Sequence, residues 1–197
     1  MKKIFAILTL LFTSFIAFGQ NGYRDFHFGM SIEDVRAIRS EIKVSNYSSL
    51  YSLIYIMQYL YDSELVSTIP NPIANITGRF TRYSTGDNYS NDMAFYFHND
   101  KLVAIETYFR STNILNELRQ IYGVGFTVHL ASKPNARVWN NQSRGRFIIW
   151  EIHTQRGYEY ASVEEVIYVD YLWVRDLCSV TIENFRKSDI NPRNRLD

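Results

Sequence analysis

The sequence predicts an α+β fold in which one antiparallel β-sheet is flanked by two or three α-helices. Short runs rich in β-branched and aromatic residues recur between turn residues, which is typical of antiparallel strands. Amphipathic segments with capping residues interrupt those runs and predict helices. The chain has 197 residues, of which 46% are hydrophobic. A chain of this kind can bury one core without disulfides, so we expect a single domain.

Residues 1–19 predict a secretory signal peptide. Two N-terminal lysines precede an apolar run over residues 4–18, and Ala17-Phe18-Gly19 provides a small-residue cleavage site. That run is short for a membrane span, which needs about 20 residues. We therefore expect an exported chain that begins at Gln20 and lies in the periplasm or outside a bacterial cell. The single cysteine, Cys178, excludes an intramolecular disulfide.

The charge balance argues against a nucleic-acid partner. The chain holds 21 Lys+Arg and 20 Asp+Glu, and removing the two signal-peptide lysines leaves 19 basic residues against 20 acidic ones. Binding along a phosphate backbone needs many clustered Lys and Arg side chains. After the signal peptide no segment reaches 18 consecutive apolar residues, so we expect no membrane span there.

The exported part begins with an extended lead-in and a short predicted helix. Ser31 can cap that helix, Asp34 places an acid in its first turn, and the helix is expected to end near residue 40. Residues 50–60 form an apolar, Tyr-rich run that suits either a buried helix or a strand, with a preference for strand near its end. Residues 74–83 then predict a further strand.

Residues 93–109 predict a β-hairpin around the turn Asn99-Asp100. A two-residue loop determines which residues of the two strands lie opposite one another. The expected pairs are Phe97 with Leu102, Phe95 with Ala104, Tyr96 with Val103, and Ala94 with Ile105. Both faces of this hairpin are apolar, so we expect it near the centre of the sheet with cover on each side.

A second helix follows the hairpin, with Asn113 as its predicted cap and Gly123 at its end. Its inward residues are expected to be Ile114, Leu115, Leu118 and Ile121. The C-terminal third predicts antiparallel strands over residues 146–152, 165–174 and 177–184.

The order of elements suggests how the domain is divided. Helix and strands are followed by helix and strands, so residues 23–110 and 111–186 are interpreted as two similar halves that share one sheet. Together they form the single domain expected over residues 20–186. Residues 187–197 are predicted to be a flexible tail.

Three short motifs point to a known group of proteins. They are Phe28-Gly29-Met30-Ser31-x-x-Asp34-Val35, Phe95-Tyr96-Phe97-His98-Asn99-Asp100-Lys101-Leu102-Val103 and Leu118-x-x-Ile121-Tyr122-Gly123. With these motifs the chain resembles small exported bacterial α/β domains, such as the outer-membrane assembly lipoproteins of the SmpA/OmlA type and the β-lactamase-inhibitor proteins. The resemblance implies helices on an antiparallel sheet and a binding or scaffolding role without a cofactor. Arg39-Ser40-Glu41 replaces the usual Gly-x-Pro, and the lipid-bearing cysteine is missing, so acyl tethering is not carried over.

No motif of a known catalytic or cofactor site occurs in the sequence. A P-loop, a dinucleotide-binding turn, a Gly-x-Ser-x-Gly elbow and a His-Glu-x-x-His helix are absent, and the four histidines lack metal-site spacing. We therefore expect no metal and no cofactor, and we favour a non-enzymatic protein. Cys178 alternates with Val180 and Ile182 and is expected to be a buried strand thiol.

One alternative is a cell-envelope hydrolase of unrecognised type. Glu106, Glu151 and Asp170 lie on predicted strands and could converge as an acid/base pair. Carboxylates on strands more often mark the solvated face of a sheet, which weakens this alternative. A third alternative is a small-molecule or lipid carrier in which residues 50–60 line a cavity.

The aromatic content is the remaining functional signal, with 15 Tyr, 13 Phe and 3 Trp. Tyr and Trp combine a large apolar body with a polar tip and are enriched at protein interfaces, although strand propensity accounts for many of them here. The candidate binding residues gather around the last strands: Trp139, Arg146, Tyr158, Tyr160, Tyr168, Tyr171 and Trp173. The leading hypothesis is thus an exported protein that binds an envelope protein or peptide through an aromatic sheet face.

Overall fold

The computed structural model describes residues 22–45, 50, 52–61, 66, 80–85, 93–109, 113–130, 133–154 and 162–190. Within these ranges the chain forms ten strands and four α-helices. Their bounds are β1 Gly22–Tyr23, β2 Phe26–His27, α1 Ile32–Ile38, β3 Lys43–Val44, α2 Leu53–Leu60, β4 Thr81–Ser84, β5 Met93–His98, β6 Lys101–Phe109, α3 Ile114–Tyr122, β7 Phe126–Leu130, β8 Lys133–Asn141, β9 Arg146–Thr154, β10 Ser162–Asp170 and α4 Tyr171–Ile190.

Eight of the described strands form one antiparallel sheet in the order β3-β4-β5-β6-β10-β9-β8-β7, and β1 pairs with β2 separately. This arrangement confirms the predicted α+β fold. The last strands of the two expected halves, β6 and β10, pair at the centre of the sheet. The interpretation of the halves as similar units stays a prediction.

The two faces of the sheet are covered by different elements. One face packs under α2 and α4, and its buried residues include Tyr96, Ala104, Phe147, Ile149 and Ile167. The opposite face packs under α1 and the N-terminal segment at one end and under α3 at the other. Its buried residues include Phe95, Leu102, Ile105, Trp150 and Val166.

Helix α1 begins as the sequence predicts. Ser31 Oγ accepts from the Asp34 amide at 3.1 Å, and Asp34 Oδ2 accepts from the Ser31 amide at 3.0 Å. This reciprocal pair satisfies two amides that the helix itself leaves free. Hydrogen bonds from Ser31 also lower the pKa of the Asp34 carboxyl.

The β5–β6 hairpin is confirmed, but its register is only partly the predicted one. Phe97 lies opposite Leu102 as expected. The other expected pairs are wrong, because a β-bulge shifts the register between Tyr96 and Phe97 and leaves Val103 without a cross-strand partner in the ladder. The observed pairs beyond the bulge are Tyr96 with Ala104, Phe95 with Ile105 and Ala94 with Glu106.

Helix α2 corrects the preference for a strand within residues 50–60. Leu53, Ile56 and Met57 are all buried against the sheet at helical spacing. Tyr55 and Gln58 are buried as well, so this helix is covered around most of its circumference. A helix that is buried on most sides shows no single apolar stripe, which explains why neither period dominates its sequence.

Helix α4 corrects the C-terminal strand predictions. Strand β10 stops at Asp170, whose Oδ1 accepts from the Trp173 amide at 3.0 Å, and the chain then remains helical from residue 171 to residue 190. Residues 177–184 are therefore helix and not strand. Cys178 and Ile182 are buried and Val180 is exposed. Burial of Cys178 is confirmed, and it raises the pKa of the thiol to about 12.

The predicted flexible tail overlaps the end of α4, because the helix continues to Ile190. Residues 191–197 lie outside the described residues, as do residues 74–79 of the strand expected at 74–83. Among the helices that the structure describes, none combines the length and the apolar character needed to cross a membrane.

Candidate functional site

The predicted binding residues do not form one surface. Trp139, Arg146 and Tyr168 lie on the sheet face that α3 and the N-terminal segment cover, whereas Tyr171 and Trp173 belong to α4 on the opposite face. Tyr158 and Tyr160 lie outside the described residues. The binding role of these residues stays a prediction.

Arg146 and Tyr168 hold the N-terminal segment on the sheet. The Arg146 guanidinium lies 5.2 Å from the centre of the Tyr168 ring and donates to the Gly22 carbonyl and, at 3.0 Å, to the Tyr122 hydroxyl. The Tyr23 ring stacks on the Tyr168 ring, with 4.6 Å between the ring centres. Both candidate residues are buried, so their contacts are used within the protein.

Tyr171 and Trp173 join α4 to the sheet. The Tyr171 ring stacks on Phe147 with ring centres 5.2 Å apart. Trp173 Nε1 donates to His98 Nδ1 at 3.3 Å, and the Trp173 ring meets Phe80 edge-on at 5.4 Å. These two aromatic residues are half-buried and pack against the core.

Trp139 lines an accessible concavity, which we call the β7 groove. This concavity has a volume of about 470 Å³ and lies where α2, α3 and the β7–β8 end of the sheet meet. It is lined by Tyr59, Ile121, Tyr122, Gly125, Phe126, Val138, Trp139, Asn140 and Asn141. None of these lining residues carries a formal charge at neutral pH.

Large apolar side chains are exposed at the mouth of the β7 groove. The lining residues Ile121 and Phe126 are 65% and 44% exposed, and Val124 in the adjoining turn is 72% exposed. The sequence predicted that Ile121 faces inward, and this prediction is wrong. Leu118, one turn earlier, is buried, whereas Ile121 lies in the last turn of α3 and is exposed.

The turn after α3 is held against strand β8. Trp139 Nε1 donates to the Gly123 carbonyl at 2.9 Å, and Arg137 Nη1 donates to the Val124 carbonyl at 3.1 Å. Gly125 has a φ of 72°, and a Cβ at this position would lie 2.6 Å from Trp139 Cε2. Only glycine fits this conformation and this close approach to the ring. The turn therefore presents Val124 to solvent.

Strand β7 forms one edge of the sheet, and in the described part of the chain it pairs with β8 alone. Phe126 at its start lies opposite Val138. The Phe126 ring meets Tyr59 of α2 edge-on, with ring centres 5.5 Å apart, and Tyr59 meets Phe147 in the same way at 5.9 Å. Tyr59 thus forms a wall of the groove that is anchored on α2.

A second feature is a buried carboxylate network on the face beneath α2. Glu106, Glu151 and Glu165 belong to the neighbouring strands β6, β9 and β10 and are only 5%, 3% and 4% exposed. The sequence suggested that Glu106, Glu151 and Asp170 could converge as an acid/base pair. In the structure Glu106 and Glu151 lie on this face on either side of β10, which contributes Glu165 between them, whereas Asp170 caps α4. The expectation that strand carboxylates mark a solvated face is wrong here.

In this network Glu106 is hydrogen bonded to an arginine and a tyrosine. Its Oε2 accepts from Arg82 Nη2 at 3.1 Å and from the Tyr96 hydroxyl at 2.8 Å. Burial alone would raise the pKa of the Glu106 carboxyl. Hydrogen bonding with Glu165 and the charge of Arg82 outweigh burial and lower that pKa.

Glu151 ties α2 to the sheet. Its carboxylate accepts from Ser52 Oγ at 2.5 Å and from the Tyr55 hydroxyl at 3.0 Å. Burial and the charges of Glu151 and Glu165 raise the pKa of Tyr55, so this phenol remains a hydrogen-bond donor. The first turn of α2 is therefore held in place by the carboxylate network.

Sequence reasoning missed Glu165, although a signal was present. Val166 and Val169 mark both faces of β10 as apolar, which predicts a central strand whose glutamates on either face are buried. Its neighbour Glu164 is buried on the opposite face, where Oε2 accepts from Trp150 Nε1 at 2.6 Å and from the Leu115 amide at 3.1 Å. Both glutamates of β10 thus have structural partners.

Among the residues that the structure describes, no group of three His, Cys, Asp or Glu is arranged to hold a metal ion. Compared with protein-family models, with curated proteins and with solved structures, the chain has no match.

Proposed function

We propose that the protein is an exported, non-catalytic binding protein of a bacterial envelope, and that it binds an extended apolar segment of a partner protein in the β7 groove. The observation that carries this proposal is that the exposed side chains of Ile121 and Phe126 line one concavity at a sheet edge, with exposed Val124 in the turn between them. Large apolar side chains exposed together mark sites of interaction, whereas single ones need no explanation.

The edge strand indicates the form of the partner. An extended segment that pairs with a free sheet edge gains backbone hydrogen bonds, and its alternate side chains enter the adjacent concavity. The groove lies beside β7, which in the described part of the chain pairs with β8 alone, and Phe126 of β7 is one of its walls. An added strand would place every second side chain against Phe126 and Tyr59.

The lining indicates the chemistry of the partner. With Tyr59, Tyr122 and Phe126 on its walls and no charged side chain among its described lining residues, the groove favours apolar and aromatic residues over acidic or basic ones. The amides of Asn140 and Asn141 can donate to and accept from a peptide backbone at one end.

Two features of the sequence support the same proposal. The predicted signal peptide at residues 1–19 supports export, and the resemblance to SmpA/OmlA-type lipoproteins and β-lactamase-inhibitor proteins supports action through protein contacts. The hydrolase alternative is not supported in this way. Glu106, Glu151 and Glu165 are buried beneath α2, where a substrate does not reach them.

The test is selection of peptides from a displayed random library on the purified exported chain, followed by calorimetric titration of the selected sequence. We expect selected peptides to alternate apolar residues. Phe126→Asp and Ile121→Asp should each weaken binding by at least about tenfold, since both place a charge in the apolar contact. The control Leu172→Asp changes a side chain that is 60% exposed on α4, outside the groove, and should leave affinity unchanged.

Two results would contradict the proposal. One is the failure of any peptide to bind above background, and the other is an equal loss of affinity in the groove variants and in Leu172→Asp. Circular dichroism of each variant shows that the fold is intact before binding is measured.

A further inference from the structure

A second concavity, which we call the arginine cavity, lies on the sheet face that α1 and the N-terminal segment cover. Its volume is about 300 Å³, at the lower end of the range for small-molecule sites. The described residues that line it are Tyr23, Arg24, Arg39, Met93, Thr107, Tyr108 and Phe109. None of them lines the β7 groove, so the two concavities are separate sites.

The arginine cavity concentrates positive charge. Arg24 and Arg39 both line it, and none of its described lining residues is acidic. The chain as a whole has a formal net charge of only +1, so this concentration is local. Two guanidinium groups on one concavity repel each other, and an anion bound beside both of them reduces that repulsion. The charges therefore favour an anionic ligand.

The backbone of Arg24 is strained. Arg24 lies in the turn between β1 and β2 with a φ of 56°, in the left-handed region that favours glycine. Of the three described non-glycine residues with a positive φ, Asn99 and Asp100 are residue types that tolerate this region, whereas arginine is not. Glycine would relieve this strain but would remove the guanidinium from the cavity. Strain of this kind is typical of sites where the position of a side chain matters.

A series of ring contacts connects Arg24 to the sheet. Its guanidinium carbon lies 5.1 Å from the centre of the Tyr23 ring, and Tyr23 stacks on Tyr168 of β10. Arg146 lies over the same Tyr168 ring and donates to the carbonyl of Gly22, which begins the hairpin that carries Arg24. A guanidinium that is positioned before a ligand arrives loses less conformational entropy on binding.

Arg39 is held at the end of α1. Its amide donates to the Val35 carbonyl at 2.8 Å, and its Nη1 donates to Glu41 Oε1 at 3.0 Å. Both members of this ion pair are partly exposed, so solvent screens their attraction. A guanidinium has five N–H donors, and the bond to Glu41 uses one of them. Arg39 can therefore donate to a ligand while it remains paired with Glu41.

The remaining walls of the arginine cavity are largely apolar. Tyr23, Met93 and Phe109 contribute two rings and a thioether side chain. The Thr107 hydroxyl donates to the Val166 carbonyl at 3.2 Å and is thus used within the sheet. A bare inorganic anion would leave the apolar walls uncovered, whereas an anion with an apolar or aromatic body would contact them.

We propose that the arginine cavity binds an organic acid, with the carboxylate at Arg24 and Arg39 and an apolar or aromatic body against Tyr23 and Phe109. A guanidinium binds a carboxylate through paired N–H donors, which fixes the orientation of the acid. A free small acid and the carboxyl end of a peptide with an apolar last residue both offer this chemistry. The inference does not rest on the proposed function of the β7 groove.

The first test is calorimetric titration of the purified chain with N-acetylphenylalanine, its uncharged amide and acetate. We expect the aromatic acid to bind, and its affinity to fall as salt is added. The amide lacks the charge and acetate lacks the apolar body, so each should bind at least about tenfold more weakly. A short peptide that ends in phenylalanine distinguishes the two sources of the acid. If it binds as well as N-acetylphenylalanine does, the cavity accepts a chain end, and if it does not, the ligand is a free acid.

The second test removes each cation. Arg24→Gln and Arg39→Gln should each weaken binding of N-acetylphenylalanine by at least about tenfold, because each removes a charge-assisted hydrogen bond. The matched control is Arg175→Gln, which makes the same change of net charge on α4, over the opposite face of the sheet. Arg175 also lies over a tyrosine ring, 5.8 Å from the centre of Tyr171, and its replacement should leave the affinity unchanged.

Three results overturn the inference. They are no binding of N-acetylphenylalanine at concentrations up to about 10 mM, equal affinity for the acid and its amide, and equal losses in Arg24→Gln and Arg175→Gln. Circular dichroism checks the fold of each variant. If an arginine variant does not fold, the comparison of acid and amide on the wild-type protein still decides. A failed peptide selection at the β7 groove leaves these measurements unaffected.

Discussion

Replacing Gly125 by alanine tests the contact that shapes the β7 groove. Gly125 has a φ of 72°, a conformation that costs an alanine about 1–2 kcal/mol. The added Cβ would also lie 2.6 Å from Trp139 Cε2. The Trp139 ring cannot simply move away, because it is buried and its Nε1 is bonded to the Gly123 carbonyl. Overpacking of this kind costs about 1–3 kcal/mol more, so we expect Gly125→Ala to destabilise the fold by about 2–5 kcal/mol.

Gly29→Ala provides the matched control. Gly29 has a φ of 90°, and a Cβ there would meet no heavy atom within 4 Å, so only the backbone cost of about 1–2 kcal/mol should appear. Urea unfolding measures both variants, and tryptophan fluorescence reports displacement of the Trp139 ring. Equal destabilisation by Gly125→Ala and Gly29→Ala would show that the Trp139 contact does not constrain the turn.

Two further predictions concern the buried face. Arg82→Met should destabilise the fold by about 3–5 kcal/mol in urea unfolding, because it leaves the Glu106 carboxylate buried without its cation. Arg175→Met breaks an exposed pair with Asp176 and should cost less than about 1 kcal/mol, and similar losses in both variants would contradict this reasoning. Cys178 should resist thiol reagents in the folded protein and react fully in urea, since burial raises its pKa to about 12. Because folding raises the pKa of the Cys178 thiol, its contribution to stability is complete below about pH 9 and falls at higher pH. Rapid labelling of the folded protein at neutral pH would refute the burial of this thiol.

Local sequence signals were sufficient where neighbouring residues alone determine the structure. The α1 cap depends on Ser31 and Asp34, which are three residues apart, and the β5–β6 turn depends on Asn99 and Asp100, whose φ angles are 51° and 58°. Turn and cap chemistry of this kind acts within one turn of the chain. These elements were therefore predicted with their positions.

The hairpin register was not predictable from the same signals. Val103 forms the bulge that shifts the pairing beyond Phe97. Both Val103 and Ala104 consequently pack in the core beneath α2 and α4, although they are adjacent in sequence. Alternation in the sequence assumes an unbroken pleat, and a strand that is apolar on both faces gives no sign of the interruption.

Helix α4 was misread because two periods coincide. Cys178 and Ile182 are four residues apart, so they share one side both in a strand and in a helix. Val180 separates the two possibilities, since it would be buried in the predicted strand and is 52% exposed in the helix. Its apolar character hid this difference in the sequence.

The candidate site was only partly within reach of the sequence. Trp139, which the sequence named as a binding residue, lines the groove, and its binding role stays a prediction. Ile121 and Phe126 were not named, because their exposure depends on how the turn at Gly125 packs on β8. Glu165 was missed for a related reason. Whether a strand carboxylate is solvated depends on the helix that covers it, and that helix is distant in sequence.

The position of β10 has a consequence for how the chain is made. This last strand occupies the middle of the sheet, and Thr107 Oγ1 bonds the Val166 carbonyl across 59 residues of chain. Until β10 is synthesised, the nascent chain can form only two incomplete sheets, β3–β6 and β7–β9, whose apolar faces and edges are exposed. Completion of the sheet by a late strand is slow and favours aggregation. A chaperone that covers β6 in the nascent chain should therefore raise the yield of folded protein.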